Sequence, residues 1–508
     1  MKPLSRLLRT TLLAVLCGLP LATAPAISAA QGHPNLPNLG DTEREELSPL
    51  LERKLGDEIM RDIRRDRDYL DDAPLLEYLN NFGSGLLAVR PDVRGEAGYD
   101  FFFFAVRDPA LNAFALPGGF IAVHSGLILA AQTESELASV MAHEIGHVAQ
   151  RHIARMLGKR HQDALIPLAS AVLAILSARA NNGGDAPMAI LAGGQGLALQ
   201  RQLNFSRDAE READRVGFQI LGEAGFDTSG MVAFFGRLQT AARSYSDAVP
   251  PFLLTHPLTT ERIADIQARI RSQRYKQRAD SLDFHLIRAR ARILQDGSPQ
   301  ALRDAAAVFD NQLAQKIRTQ TAAAQYGLAL VALRQGAYDK AQSLLRQGRT
   351  SAAAGQGASS NAIFANLSIE IKLAAAHAAD AVEEAETART QFPLSRGLAY
   401  QYAQALTAAG RLDDATRFLR DQTQLYRQEP KLYEQLASIY AAQGKQAQQH
   451  MALAESYALA GTLPSALEQL SIARRAPDAS FYDQAVIDAR EREMKAKRKE
   501  ELQDKKKD

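Results

Sequence analysis

The sequence predicts a mainly α-helical protein with one small β-sheet: an α+β domain followed by an α-solenoid. Three observations carry this. Helical apolar periodicity covers most of the chain. Strand-like patterning is confined to residues 100–125, and after about Arg274 Ala-rich helical segments recur with glycines between them. At 508 residues the chain exceeds one core and divides into several units. The expected boundaries are a targeting segment at 1–30, a first domain at 31–275, a repeat domain at 276–488 and a charged tail at 489–508.

Lys2, Arg6 and Arg9 precede an apolar run from Leu12 to Leu21, and Ser28-Ala29-Ala30 offers small residues for cleavage. This reads as a secretory signal, its apolar run being short of the ~20 residues that span a bilayer. The only cysteine, Cys17, falls inside it, so a mature chain would form no disulfide. Net charge is +2, which argues against a nucleic-acid binder, as such a protein usually carries a basic stripe.

Residues 31–40 are Pro/Gly-rich and extended, and Asp41–Leu79 has a charged helical pattern. Asp100–Asp108 is a strand. Asn112–Ser125 gives two short strands broken at Pro117-Gly118-Gly119, a strong turn signal. Thr133-Glu134-Ser135-Glu136 is a capping box that starts a helix with apolar Leu137, Val140, Met141, Ile145 and Val148. Two charge-free stretches, Ala164–Ala178 and Ala186–Gln200, are too short for comfortable membrane spans. They read as buried or amphipathic helices, or as a hairpin that touches a membrane or lids a cleft. Gly410 and Gly444 lie 34 residues apart, the period of tetratricopeptide repeats, so a solenoid of stacked helix pairs is expected. The tail reads as a solvated helix or a disordered end.

The helix that starts at Thr133 carries His143-Glu144-Ile145-Gly146-His147. Side chains four apart share a helix face, so both imidazoles reach one metal ion and Glu144 reaches a water beside it. Catalytic zinc takes three protein ligands and leaves one position open. The third ligand is sought in Ser206–Asp214, where Glu210 and Asp214 again lie four apart. Glu210 would bind the ion and Asp214 would accept a hydrogen bond from the far nitrogen of a ligating histidine. Glu212 is the rival ligand. His152, five residues past His147, lies well round the helix from the ligand face and is not expected to bind.

H-E-x-x-H followed by E-x-x-x-D resembles the gluzincin endopeptidases of the HtpX and CAAX-prenyl-protease class. Asn112–Gly119 is similar to that family's NAF-x-x-PGG segment, and Thr255-His256-Pro257 with Arg262 to its downstream THP…R segment. With the signal segment and repeats added, the whole chain resembles the periplasmic β-barrel assembly-enhancing type. The resemblance implies a gluzincin-type domain holding one Zn²⁺ per chain on His143, His147 and Glu210, with Glu144 as general base. His256, in that downstream segment, has two candidate roles, stabilising the oxyanion or binding zinc as a fourth ligand that keeps the enzyme latent, and the expectation is a switch in which it sits on the metal at rest and is displaced for catalysis. The strand at Phe120–His124 would be an edge on which an extended substrate pairs. Implied substrates are unfolded or stalled outer-membrane proteins, with the repeats contacting the barrel-assembly machinery, in the periplasm and peripherally at a membrane. Two rival readings remain: chiefly a repeat-based scaffold or chaperone with a latent protease site, and an integral membrane protease anchored by 164–200.

Overall fold

The computed structural model describes residues 48–95, 98–158, 207–244, 250–272, 276, 278–356 and 361–504. The targeting segment, the 31–40 stretch and both charge-free runs lie outside the described residues. Among the described residues, no helix is long and apolar enough to cross a membrane.

The charged helical pattern after Asp41 resolves into two helices, α1 (Pro49–Ile63) and α2 (Ala73–Ala88). Each begins with a side-chain cap, Ser48 or Asp72, followed closely by a proline, the arrangement that favours a helix start. The sheet has three strands: β1 (Phe102–Val106), β2 (Ala113–Leu116) and β3 (Phe120–His124). Its order is β1-β3-β2, with β3 parallel to β1 and antiparallel to β2. The hairpin between β2 and β3 turns at Gly118 and Gly119, both in the left-handed region (φ 78° and 92°), which is why Pro117-Gly118-Gly119 breaks the pattern there. One expectation is corrected. The Phe120–His124 strand is the centre of the sheet and buried throughout, so it offers no edge; that edge belongs to β2.

A short helix, α3 (Ser125–Ala130), leads to α4 (Glu134–Ala149), the helix predicted from Thr133. Thr133 Oγ1 accepts the Glu136 amide at 3.2 Å, while Glu136 returns its carboxylate to the Gln132 amide at 2.8 Å. The box therefore closes one residue earlier than the usual pattern. Then come α5 (His152–Gly158), α6 (Arg207–Glu223), α7 (Ser229–Ser244), α8 (Pro251–Thr255) and α9 (Thr260–Arg271). Helices α4 and α6 meet backbone to backbone. A Cβ on Gly146 would lie 2.8 Å from the Ala213 carbonyl oxygen, and one on Gly217 would lie 3.0 Å from the His143 nitrogen. Only glycine at both places lets the two helices approach this closely.

The remaining helices are α10 (Leu282–Gln295), α11 (Pro299–Ala314), α12 (Arg318–Arg334), α13 (Tyr338–Gln356), α14 (Ala362–Ala374) and α15 (Ala378–Gln391). They continue as α16 (Arg396–Ala408), α17 (Leu412–Leu425), α18 (Pro430–Ala442), α19 (Gln446–Leu459), α20 (Leu463–Arg475) and α21 (Phe481–Asp504). The helical hairpins recur in register: Ala376, Gly410 and Gly444 end successive first helices in the left-handed region, at φ 61°, 72° and 70°. Ala376 fills a place that favours glycine. The last helix packs Ile487 and Met494 on the preceding repeat.

A single apolar cluster runs from α2 through the sheet, α4, α6 and α7 into α10–α14; it includes Leu75, Ile121, Met141, Phe234, Phe284 and Phe364. Polar ties reinforce it. Arg290 on α10 makes a two-pronged ion pair with Asp72 at the start of α2 (2.7 Å each), and Glu77 of α2 accepts from Ser395 and the Gly397 amide. The repeats are thus anchored on the helix that backs the sheet.

Candidate metal centre

His143 and His147 project from one face of α4 and both are buried. Their Nε2 atoms stand 3.0 Å apart. Because α6 packs so closely at Gly146 and Gly217, Glu210 reaches the same point. Its carboxylate oxygens lie 3.4 Å from His147 Nε2 and 3.5 Å from His143 Nε2. His256, at the C-terminal end of α8, adds its Nδ1, 3.0 Å from Glu210 Oε1 and 3.4 Å from His143 Nε2. One ligand atom from each of these four residues falls within 4.8 Å of every other. Donors at 2.0–2.1 Å round a tetrahedral ion stand about 3.3 Å apart. With Glu210 giving Oε1, four separations among one donor atom per residue are 3.0–3.4 Å and match that spacing, and three imidazoles with one carboxylate are a zinc-compatible donor set. The residues present therefore fit a metal ion.

Charge in the site has clear causes. Burial opposes ionisation of Glu210, yet the imidazoles of His256, His143 and His147 hold its carboxyl well below the usual range. Burial pushes His147 well below 6.5, so its ring is neutral. Burial also opposes a charge on His143, but the Asp214 and Glu210 carboxylates beside it raise its pKa to about 9.

Glu144 is fully buried, its two oxygens make no hydrogen bond among the described residues, and burial raises its carboxyl above the usual value. Oε1 lies 3.6 Å from His256 Nε2, and the Ala115 amide of β2 lies beside the carboxylate.

Asp214 stands one turn beyond Glu210 on α6, its Oδ1 3.1 Å from His143 Nδ1. The contact expected between Asp214 and a paired histidine is present. Arg262 was legible only as part of a segment, and its contacts were not. It grips Asp214 with two hydrogen bonds (2.6 and 2.7 Å), reaches Glu210 at 2.8 Å and donates to the Pro257 carbonyl at 2.9 Å. It is 3% exposed, so it supplies an unscreened positive charge behind two carboxylates.

Glu212, the rival ligand, points away from the cluster toward His152 and Arg155. His124 is buried at 5% exposure, its Nδ1 3.4 Å from Asp108 Oδ2 and its Nε2 3.4 Å from Asn112 Nδ2. It braces the strand ends and is not a surface residue. His161 lies outside the described residues.

A buried cluster of three histidines and a glutamate beside a second buried glutamate is an arrangement that suits a metallopeptidase. Residues 88–270 match the family model for peptidase family M48. The chain is 34% identical over 471 residues to the β-barrel assembly-enhancing protease of Escherichia coli (strain K12), covering 92% of each. It is 31% identical over 455 residues to that of Yersinia pestis, covering 90% of each. It is also 32% identical over 162 residues to the mitochondrial metalloendopeptidase OMA1 of Schizosaccharomyces pombe, covering 32% of this chain and 44% of that one. The chain belongs to the M48 family, of the β-barrel assembly-enhancing type, and is a metalloprotease.

Proposed function

We propose that this chain is a single-zinc endopeptidase of the periplasm that acts in quality control and assembly of outer-membrane β-barrel proteins. The observation that carries the enzymatic part is the convergence of His143, His147 and Glu210 beside a fully buried Glu144. A bound zinc ion would polarise the scissile carbonyl and make the attacking water acidic. Glu144, its carboxyl raised by burial, takes the proton from that water and returns it to the leaving amine. Asp214 holds His143 in the tautomer that presents Nε2 to the ion, and Arg262 holds Asp214. Substrate backbone would pair with β2, whose free edge runs past Glu144 and whose main-chain bonds ask little of side-chain sequence.

His256 is read as a fourth ligand at rest. Its Nδ1 shares the cluster with Glu210, and a site closed by four ligands leaves no position for water or substrate. Displacement of His256 would open a position for water and substrate. The names of the full-length relatives support work in β-barrel assembly. Residues 276–488, read as tetratricopeptide repeats, would present stalled clients or dock on the assembly machinery. A leader at 1–30 is consistent with export, any contact with the membrane would be peripheral, and a net charge of +2 argues against nucleic acid as a partner.

Glu144→Gln tests the reading. It should abolish hydrolysis of unfolded β-barrel substrates while zinc binding persists. Retention of β-barrel assembly in cells carrying it would favour the scaffold reading over the proteolytic one.

A further inference from the structure

His152 was set aside because a residue five places past His147 on a straight helix cannot share its face. The structure removes that premise. Helix α4 ends at Ala149, and Arg151 adopts φ 50°, a left-handed conformation costly for a residue with a Cβ. The turn carries His152 back onto His147, and the two Nδ1 atoms stand 2.9 Å apart. The strained turn is clamped: Arg151 donates to Glu52 Oε2 from Nε at 3.2 Å and Nη2 at 3.1 Å, and Tyr99 donates to the same oxygen at 2.6 Å. Glu52 is itself buried. Strain held by a buried ion pair beside an active site calls for a function.

The hydrogen-bond order follows from the cluster. His147 presents Nε2 to the other ligands, so its proton sits on Nδ1. That N–H donates to His152 Nδ1, which leaves the His152 proton on Nε2. From there it is donated to Glu212 Oε2 at 3.0 Å, and Arg155 pairs with the same oxygen at 2.6 Å. His143 has its own orienting partner in Asp214, so each histidine of the H-E-x-x-H is backed by a separate group from α6.

We propose that His152 is a positioning residue for the metal: it fixes the tautomer and ring angle of His147 through a relay that ends on Glu212. This rests on the zinc reading above. The test is zinc affinity of the full chain, measured by competition with a chromophoric chelator, with metal-free thermal unfolding as the control for folding. His152→Phe keeps a ring and removes the acceptor; it should weaken zinc binding roughly 10–100-fold. His152→Gln, whose carbonyl can accept from Nδ1–H, should restore affinity to within about threefold, a rescue that packing alone does not predict. For peptide hydrolysis at saturating zinc, kcat should fall in the Phe variant with KM unchanged. Phe binding zinc as tightly as wild type overturns the proposal, and so do Phe and Gln losing affinity equally. If wild type itself binds no zinc, the underlying metal reading fails instead.

Discussion

Gly146→Ala tests whether the approach of α4 to α6 builds the metal centre. The added Cβ would sit 2.8 Å from the Ala213 carbonyl oxygen and 3.0 Å from its Cα, whereas comfortable contacts begin near 3.5 Å. The obstacle is backbone, so no rotamer change relieves it. The helices must part by roughly 0.5 Å, more than the ±0.2 Å tolerance of a metal–ligand bond. Two stability terms oppose each other. Overpacking costs about 1–3 kcal/mol. Replacing a helical glycine with alanine returns about 0.8–1 kcal/mol. Net destabilisation should be about 0–2 kcal/mol, small enough for the fold to persist. Zinc affinity should fall at least about tenfold, because Glu210 is carried away from His143 and His147. Urea unfolding gives the first quantity and chelator competition the second. Zinc binding within about twofold of wild type would refute the argument that this glycine sets the ligand spacing.

Three further outcomes are expected. Arg262→Met leaves Glu210 and Asp214 buried without their cation, so the metal-free protein should lose about 3–5 kcal/mol; saturating zinc, which restores positive charge there, should reduce that loss, as urea titrations with and without chelator would show. His256→Ala removes the fourth donor and should raise basal peptide hydrolysis severalfold, whereas equal rates would count against a closed resting site. Burial opposes the charge on Glu384, but Ser368, Arg349 and Lys372 together hold its carboxyl below 4.5. Its contribution is therefore fully present above about pH 4.5 and is lost as pH falls through the lower folded value; the gap in unfolding midpoint between wild type and Glu384→Gln should be constant near neutrality and close in acid.

What the sequence reveals here depends on whether one helix carries the information. His143, Glu144 and His147 share α4, and Glu210 and Asp214 share α6, so a 3.6-residue period places each set on one face. Position relative to other elements is harder to read. Nothing in Phe120–His124 says that β1 pairs with its far side, which makes it the central strand instead of the edge. Arg262 sits 48 residues beyond Asp214, and only the fold brings its guanidinium behind the ligands. His152 fails for a different reason: a single left-handed residue, Arg151, breaks the helical phase, and an arginine gives no sign of that conformation as a glycine would. The recurrent turn at Ala376 escapes notice in the same way, while Gly410 and Gly444 announce theirs.

The most direct test of the account is anomalous scattering at the zinc edge from crystals of the zinc-loaded protein. It should locate one ion about 2.0–2.2 Å from His143 Nε2, His147 Nε2 and a Glu210 oxygen. An ion bound elsewhere, or Glu210 turned away from it, would contradict the account.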